Sequence, residues 1–183
     1  MILHITSDTS YLSEPKSRSC VGGHFYLSDK HVGKDIPKPN INGPIHTISN
    51  IVRNVMSSAQ EAEVATLFHN YKDGIMIRNT LIETGHPQPA TPVQTNNSFA
   101  EGFNNRRIKQ RRSKTIRMRF YWIQDQVKYR QIYIYWQKGI KNMADYFTKH
   151  HPARHHRHMK ETYLLGLHQA NYEHHTDIKN SVN

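Results

Sequence analysis

The chain has 183 residues, and its 25 lysines and arginines exceed its 14 aspartates and glutamates by 11, before fourteen histidines are counted. This surplus favours a polyanionic partner, either nucleic acid or an anionic membrane surface. No apolar run approaches the length of a membrane span, so the membrane is the weaker interpretation. Cys20 is the only cysteine, which excludes a disulfide framework and a cysteine zinc site. A reducing, intracellular compartment, cytoplasmic or nuclear, fits this composition.

The first predicted element is a strand over residues 2–10. Apolar and polar side chains alternate along it, which is the period-two pattern of a strand in a covered sheet. The strand ends at Asp8 among small polar residues, and a carboxylate at the end of a central strand is a place to hold a metal ion. For Asp8 taken alone, an acid in a turn is the alternative. Because the strand begins almost at residue 1, we expect the chain to be part of a longer polypeptide.

Two further strands are predicted over residues 20–27 and 44–49. Strands joined in this way form an antiparallel meander. A glycine pair inside the second strand, Gly22 and Gly23, indicates a bulge or a close backbone contact. The polar segment 28–42 between the two strands contains two prolines and is predicted to be a loop.

The longest predicted helix covers residues 57–85. Residues 58–61 read Ser-Ala-Gln-Glu, which is a capping box, and Gly85 is typical of a helix end. Apolar residues follow at helical spacing and define the buried face: Val64, Leu67, Phe68, Tyr71, Ile75 and Ile82. Glu63 lies at the edge of this stripe, so its side chain can face the sheet.

The second half of the domain alternates between strands and helices. The predicted elements are strands over residues 91–95 and 131–136, a short helix over 97–103, a long helix after Ser113, and a last helix over 142–149. Asn142 is the predicted cap of the last helix, and Asp145 lies in its first turn. Strand 131–136 is apolar on both faces, so we expect it to be covered on both. This order predicts an α/β fold with a mixed five-stranded sheet, in which a three-stranded antiparallel meander is joined by two further strands and flanked by helices.

The predicted domain covers residues 1–150. From residue 151 to residue 183 the chain is basic, polar and rich in histidine, and we predict a poorly ordered tail. The histidines suggest metal binding by composition. No cysteine accompanies them and no apolar framework fixes them, so adventitious metal binding is the preferred interpretation.

Four polar side chains stand at the ends or starts of elements that meet at one edge of the predicted sheet: Asp8, Glu63, Asn96 and Asp145. Their order and context resemble the acids of the RNase H-like fold. The stretches around them, residues 7–11, 57–63, 95–98 and 142–149, resemble the RNase H segment of copia-type retrotransposon polyproteins. The resemblance covers roughly residues 1–165, including a basic stretch and the helix that follows it.

The resemblance implies an RNase H-like domain that hydrolyses the RNA strand of RNA–DNA hybrids. It also implies an element that undergoes reverse transcription and DNA integration, with a reverse transcriptase domain upstream. In such chemistry water attacks a phosphodiester in line, and two Mg²⁺ ions about 3.5–4 Å apart stabilise the attacking and leaving oxygens. Mn²⁺ is a possible substitute. The resemblance implies that Asp8 bridges both ions, that Glu63 and Asp145 each ligate one, and that the remaining acid belongs at position 96.

The sequence departs from the family pattern at two positions. Asn96 stands where the family has an aspartate, and an amide carries no charge and presents an NH₂ group that repels a cation. At an effective dielectric of about 20, a unit charge lost about 4 Å away is worth roughly 4 kcal/mol per ion charge. Arg117 stands where the family usually has an acid. We therefore expect weak metal binding and impaired cleavage; a catalytically inactive hybrid-binding module and a degenerate copy without a selected role stay open.

Glu61 competes with Glu63 for the second acidic position. Glu61 fits the capping box, whose role is local. The resemblance favours Glu63, and we follow it.

A dense basic run leads into the second long helix. A solvated helix face is the alternative interpretation of such a run. Because Tyr121 and Trp122 stand next to it and the helix lies beside the predicted acidic site, we predict a phosphate-tracking surface. The predicted nucleic-acid-binding residues are Lys109, Arg111, Arg112, Lys114, Arg119 and Lys138.

Overall fold

The computed structural model describes residues 1–28, 43–97, 114–139 and 142–164, with the backbone alone for 114–117 and 161. Five strands form one sheet: β1 (Ile2–Glu14), β2 (Arg18–Ser28), β3 (His46–Ile51), β4 (Thr91–Thr95) and β5 (Ile132–Trp136). Their spatial order is β3-β2-β1-β4-β5. The β1–β2 and β2–β3 pairs are antiparallel, and β4 pairs in parallel with both β1 and β5. The predicted mixed sheet with its meander is confirmed.

The described helices are α1 (Ala59–Glu83), α2 (Lys114–Lys128), a 3₁₀ helix (Met143–Phe147) and α3 (Ala153–Tyr163). The chain divides into two compact units, Met1–Lys149 and His150–Asn183, and α3 belongs to the second. Within the described residues, none of the helices combines the length and the apolar character needed to cross a membrane. The predicted short helix over residues 97–103 falls largely outside the described part of the chain.

The core of the first unit lies between the sheet and helices α1 and α2. The sheet contributes Leu3, Ile5, Phe25, Val93 and Ile134, and the helices contribute Val64, Leu67, Tyr71, Phe120 and Ile123, all of which are at most 3% exposed. Burying each large apolar side chain stabilises the fold by about 1.5–3 kcal/mol. Ile82 was predicted to belong to this face but is 45% exposed. The reason is length, since 25 residues of α1 span about 37 Å, whereas the five-residue strands span about 17 Å.

The N-terminus of α1 is fixed by local hydrogen bonds, as its capping box predicted. The Ser58 hydroxyl accepts a hydrogen bond from the backbone N–H of Glu61 (3.1 Å). The Glu61 carboxylate in turn accepts hydrogen bonds from the backbone N–H (2.7 Å) and hydroxyl (2.5 Å) of Ser57, one residue before the cap. Glu61 therefore serves the helix terminus.

A buried arginine ties the second half of α1 to the start of β4. Arg78 is 6% exposed, and its guanidinium donates to the Thr91 hydroxyl (3.2 Å) and to the carbonyls of Gln88 (2.7 Å) and Pro89. Nothing in the periodicity of the sequence predicted this role. These contacts fix the position of the first residue of β4 and of the segment before it, and β4 is the strand that ends next to Asn96.

The glycine pair of β2 permits close approach on both faces of the sheet. A Cβ at Gly22 would lie 2.7 Å from the carbonyl oxygen of Ala144 in the 3₁₀ helix. A Cβ at Gly23 would lie 2.5 Å from Asn70 Oδ1 in α1. The β1–β2 register is regular at both positions, so the close contact is confirmed and no bulge forms here. Helical segments thus reach the sheet backbone from both sides of this strand.

The last predicted helix of the domain is a 3₁₀ helix, Met143–Phe147, instead of an α-helix. Asn142 is its cap, as predicted: its side chain accepts a hydrogen bond from Ala144 N–H (3.0 Å) and donates one to the Ser7 carbonyl (2.9 Å). At the other end, Ser49 donates to the carbonyl of the last helical residue (2.8 Å). With both ends bound to the sheet across five residues, a short tight turn fits the available span.

Two further predictions differ from the structure. Strand β5 is not covered throughout, because Tyr133 is 42% exposed. Part of the predicted tail is helical, since α3 covers Ala153–Tyr163. Within α3, His155, Met159 and Tyr163 are its less exposed described residues and recur at four-residue spacing, the pattern of one helix face. Composition alone did not reveal this pattern.

His24 of β2 is 0% exposed, and its ring stacks on Phe147 with 6.2 Å between centroids. Burial lowers the pKa of His24 from 6.5 to about 4. Between these two values the unfolded chain binds a proton that the folded chain does not. The contribution of His24 to stability is therefore intact above pH 6.5 and is lost as pH falls toward 4.

We expect His24→Phe, which keeps an aromatic ring against Phe147, to flatten the acid limb of the stability curve. At about 1.4 kcal/mol per pKa unit, the native protein should lose about 2 kcal/mol more than the variant between pH 7 and pH 4.5. Urea unfolding at several pH values measures the difference, and His86→Phe at an exposed turn is the control. Equal slopes for native protein and His24→Phe would contradict the assignment.

Candidate active site

The site begins where the parallel strands β1 and β4 end side by side. Thr6 is in register with Gln94, so Asp8 and Asn96, each two residues further on, lie next to each other. Asn96 Nδ2 donates a hydrogen bond of 2.7 Å to Asp8 Oδ1. The Asp8 side chain is almost fully buried, at 2% exposed. Parallel pairing therefore brings the first and third predicted site positions into direct contact.

The second oxygen of Asp8 is also occupied. Thr148 Oγ1 lies 2.6 Å from Asp8 Oδ2 and 3.0 Å from the carbonyl oxygen of Asp145. Thr148 follows the 3₁₀ helix directly and is 1% exposed. Thr148 was not among the predicted site residues, although its position three residues after Asp145 places the two side chains on adjacent turns of a helix. Both carboxylate oxygens of Asp8 thus have hydrogen-bond donors from within the protein.

Asp145 forms an ion pair with Lys149, four residues later. The side chains are 34% and 52% exposed, so the pair contributes little to stability. Its effect on the site is electrostatic, because the ammonium group offsets the charge of Asp145. Lys149 was also absent from the predicted site.

Glu63 faces inward from the first turns of α1 and is 8% exposed. Among the residues that the structure describes, none donates a hydrogen bond to its Oε2. Burial and, to a smaller extent, the negative charge of Asp8 together raise the pKa of Glu63 to about 8. Glu63 therefore carries a proton at pH 7. The structure brings Glu63 toward Asp8 and leaves Glu61 in its cap.

The environment also raises the pKa of Asp8 above its ordinary value. Burial is the largest cause, and the charge of Asp145 acts in the same direction. The hydrogen bonds from Thr148 and Asn96 and the charge of Lys149 lower it in part. Asp8 is thus an acid in a poorly solvated position whose charge is balanced by neutral donors and one cation.

A buried amide supports the backbone beneath the site. Asn70 of α1, which is 0% exposed, donates through Nδ2 to Ser7 Oγ (2.8 Å) and to the Gly22 carbonyl (2.8 Å). These bonds connect α1, β1 and β2 beside Asp8. An asparagine within an apolar helix stripe was the signal that could have identified it.

The donor groups as arranged do not fit two Mg²⁺ ions. In residues 1–28, 43–97, 114–139 and 142–164, no three His, Cys, Asp or Glu side chains are placed to hold a metal ion. Asp8 has a donor on each oxygen, Asp145 is paired with Lys149, and burial raises the pKa of Glu63. A two-metal site needs several free anionic oxygens, which this arrangement does not provide.

The predicted nucleic-acid-binding residues are only partly within the described chain. Lys109, Arg111 and Arg112 lie outside it, and Lys114 is the first residue of α2. Lys138 is exposed in the segment that follows β5. At the end of this strand Trp136 Nε1 donates to the Asn96 carbonyl (2.9 Å), which places Lys138 near the Asp8 end of the sheet. Arg119 is partly buried and lies over the Phe68 ring at 5.7 Å.

Solved structures of RNase H proteins share this fold. An RNase H1 isolated from compost by a metagenomic approach, solved in complex with an RNA/DNA hybrid, aligns with 79% of this chain and 92% of its own at TM-score 0.54 and 15% identity. An N-terminal RNase H domain from Mycobacterium tuberculosis aligns with 80% of this chain and 90% of its own, at TM-score 0.52 and 14% identity. An RNase H1 from Halobacterium salinarum aligns with 80% of this chain and 94% of its own, at TM-score 0.52 and 11% identity. The sequence matches no protein-family model and no curated protein. The chain has an RNase H-like α/β fold.

Removing the Thr148 hydroxyl should destabilise the domain. Thr148→Val keeps the shape but leaves Asp8 Oδ2 without its donor, and a hydrogen bond to a charged group contributes about 1.5–3 kcal/mol. Urea unfolding in chelator at pH 7 measures the loss. Thr80→Val on the exposed face of α1 is the matched control and should change stability by about 0.5 kcal/mol or less.

A double-mutant cycle with Asp8→Asn separates this hydrogen bond from general packing. Because the two groups are in contact, we expect a coupling free energy of about 1 kcal/mol or more. Additive effects of Thr148→Val and Asp8→Asn would show that the hydroxyl does not act through Asp8.

Proposed function

We propose that this chain is an RNase H-like nucleic-acid-binding domain that recognises RNA–DNA hybrids and cleaves them weakly or not at all. The observation that carries the proposal is the 2.7 Å hydrogen bond from Asn96 Nδ2 to Asp8 Oδ1. It places an amide donor, instead of a third acid, in contact with the buried acid at the end of the first strand. The four ancestral catalytic positions in this proposal are Asp8, Glu63, Asn96 and Asp145.

The binding half of the proposal is supported by charge and by fold. The chain carries a formal charge of +11. One structure with this fold was solved with an RNA/DNA hybrid. The basic run from Lys109 to Lys114, together with Lys138, would contact phosphates, which attract lysine and arginine irrespective of base sequence.

The origin of the domain is the finer part of the proposal. The resemblance of its motifs supports a copia-type retrotransposon polyprotein, an ancestral reverse transcriptase domain upstream, a role linked to DNA integration, and an intracellular location. Mg²⁺, or Mn²⁺ in its place, would be the ancestral cofactor, held by Asp8, Glu63 and Asp145. We expect this binding to be weak, because both oxygens of Asp8 accept hydrogen bonds and Asp145 forms an ion pair with Lys149.

Binding of an RNA–DNA hybrid should weaken steeply with salt, because cationic side chains release counterions from the phosphates. Between about 50 mM and 200 mM salt we expect affinity to fall at least about tenfold, measured by filter binding. Replacing Lys109, Arg111 and Arg112 together by glutamine should weaken binding and reduce the salt slope. Asp8→Asn, which leaves the basic run intact, is the control. Salt-indifferent binding, or none at low salt, would refute the proposal.

Restoring the acid at position 96 tests why cleavage is impaired. Asn96→Asp would place a second carboxylate beside Asp8, so we expect lower stability in chelator by roughly 1–3 kcal/mol and partial recovery with Mg²⁺. Cleavage of a labelled hybrid should be slow or absent with the native chain and should increase in Asn96→Asp. Mn²⁺ should partly rescue the native chain.

Asp8→Asn is the inactive control for this assay. Robust Mg²⁺-dependent cleavage by the native chain, abolished by Asp8→Asn, would refute the claim that Asn96 disables the site. If Mg²⁺ stabilises Asn96→Asp but the variant still does not cleave the hybrid, residues other than Asn96 prevent cleavage. Arg117, Thr148 and Lys149 are then the residues to replace next.

A further inference from the structure

A cleft of about 550 Å³ opens where β3, the middle of α1 and the start of α2 meet. In register, Val21 pairs with Thr9 and Asn50, whereas Asp8 pairs with Gly22. Because side chains alternate between faces, the Val21 side of the sheet is opposite to the side that carries Asp8. Strand β3 is two strands, or about 10 Å, from β1. The cleft therefore opens on the face opposite to Asp8, and none of its described lining residues belongs to the candidate active site.

The walls of the cleft combine an apolar floor with a cationic rim. Val21, Ile48 and Val52 form part of the floor, and all three pack in or against the main hydrophobic core. Arg53, Lys72 and Arg119 supply positive charge at the rim. This is the composition of a site for a ligand that has both an anionic group and a flat apolar surface.

The charge of the cleft is unbalanced. Among the lining residues that the structure describes, three cationic side chains accompany one carboxylate, Asp73, which is itself 3.4 Å from His46 Nε2. The effect is visible at His69 in the same wall: burial lowers its pKa, and Arg119 and Lys72 lower it further, against the opposing influence of Asp73. The cleft thus has a positive potential that an anion would neutralise.

Arg119 shows the strongest sign of a missing partner. Its guanidinium lies 5.7 Å from the centre of the Phe68 ring, which holds it over an aromatic face. Its Nε is buried, and no acceptor for it occurs in the described part of the chain. Buried donors in proteins nearly always have acceptors, so an oxyanion in the cleft would complete the site. Arginine suits this role because its fork of donors matches phosphate oxygens.

We propose that this cleft binds a nucleotide, with its phosphate between Arg119, Lys72 and Arg53 and its base against the apolar floor. The volume lies within the range of about 300–1,000 Å³ typical of small-ligand sites. The amides of Asn50 and Asn54 lie in the same lining and provide donors and acceptors for a base edge. A free nucleotide and a nucleotide at the end of a strand share this chemistry. The site goes beyond the proposed function and requires neither hybrid binding nor cleavage.

Isothermal titration calorimetry of the full chain at low salt tests the proposal with three probes. These are AMP, inorganic phosphate and a 5′-phosphorylated oligoadenylate. We expect AMP to bind about tenfold more tightly than phosphate, because only AMP has a base for the apolar floor. If the oligonucleotide binds more tightly than AMP and this difference persists in Lys72→Gln, the additional affinity comes from other surfaces. If Lys72→Gln loses binding of both AMP and the oligonucleotide, the 5′-terminal nucleotide of the strand binds in the cleft.

Lys72→Gln and Arg119→Gln should each weaken AMP binding about tenfold. Lys128→Gln is the matched control, since it removes one charge from an exposed position on the same helix as Arg119. If Arg119→Gln fails to fold, the exposed Lys72 still provides the test. NMR titration of the His69 imidazole adds a local readout, since a bound phosphate should raise its pKa. Absence of AMP binding, equal affinity for AMP and phosphate, unchanged affinity in Lys72→Gln, or an unmoved His69 pKa would overturn the proposal.

Discussion

The candidate active site depends on how one buried carboxylate is neutralised. Asp8 lies on the central strand, and its two oxygens accept hydrogen bonds from β4 through Asn96 and from the segment after the 3₁₀ helix through Thr148. These two bonds connect parts of the chain that are 88 and 140 residues away from Asp8 in sequence. A carboxylate excluded from water requires donors or cations. Here two neutral donors and the positive charge of Lys149 stabilise the carboxylate.

The same interaction is the basis of the proposal that this domain keeps the fold while its cleavage chemistry is impaired. Asparagine has nearly the shape of aspartate, but it places a hydrogen-bond donor instead of a negative charge beside Asp8. Two acids at this distance would repel each other unless a cation separated them. An amide beside the acid attracts it instead. An amide at position 96 therefore stabilises the Asp8 carboxylate without a metal, whereas the aspartate of the family pattern would require one.

The sequence was sufficient to predict much of the fold because the strands and helices have clear periodicity. Strand β4 was predicted with its observed limits, and the capping residues Ser58 and Asn142 were identified in advance. The contacts of Thr148, Asn70 and Arg78 were not predicted, because a polar residue at a helical or strand-flanking position does not by itself reveal which partner it will meet in the fold. The exposure of Tyr133 on β5 and the helical conformation of α3 were also not predicted. Both depend on which residues become buried in the folded chain, and amino-acid composition does not specify burial.

Gly22 shows that the width of this site is set by an absent side chain. Its Cα hydrogen occupies the only space between β2 and the carbonyl of Ala144, so even one methyl group would push the 3₁₀ helix outward. That displacement would carry Thr148 away from Asp8 without altering any polar group. Spacing and chemistry are thus encoded by different residues in this domain. A substitution of a polar site residue changes the chemistry of the site and leaves this spacing as it is. A larger residue at Gly22 would instead keep every polar group of the site but move Thr148 beyond hydrogen-bonding distance of Asp8.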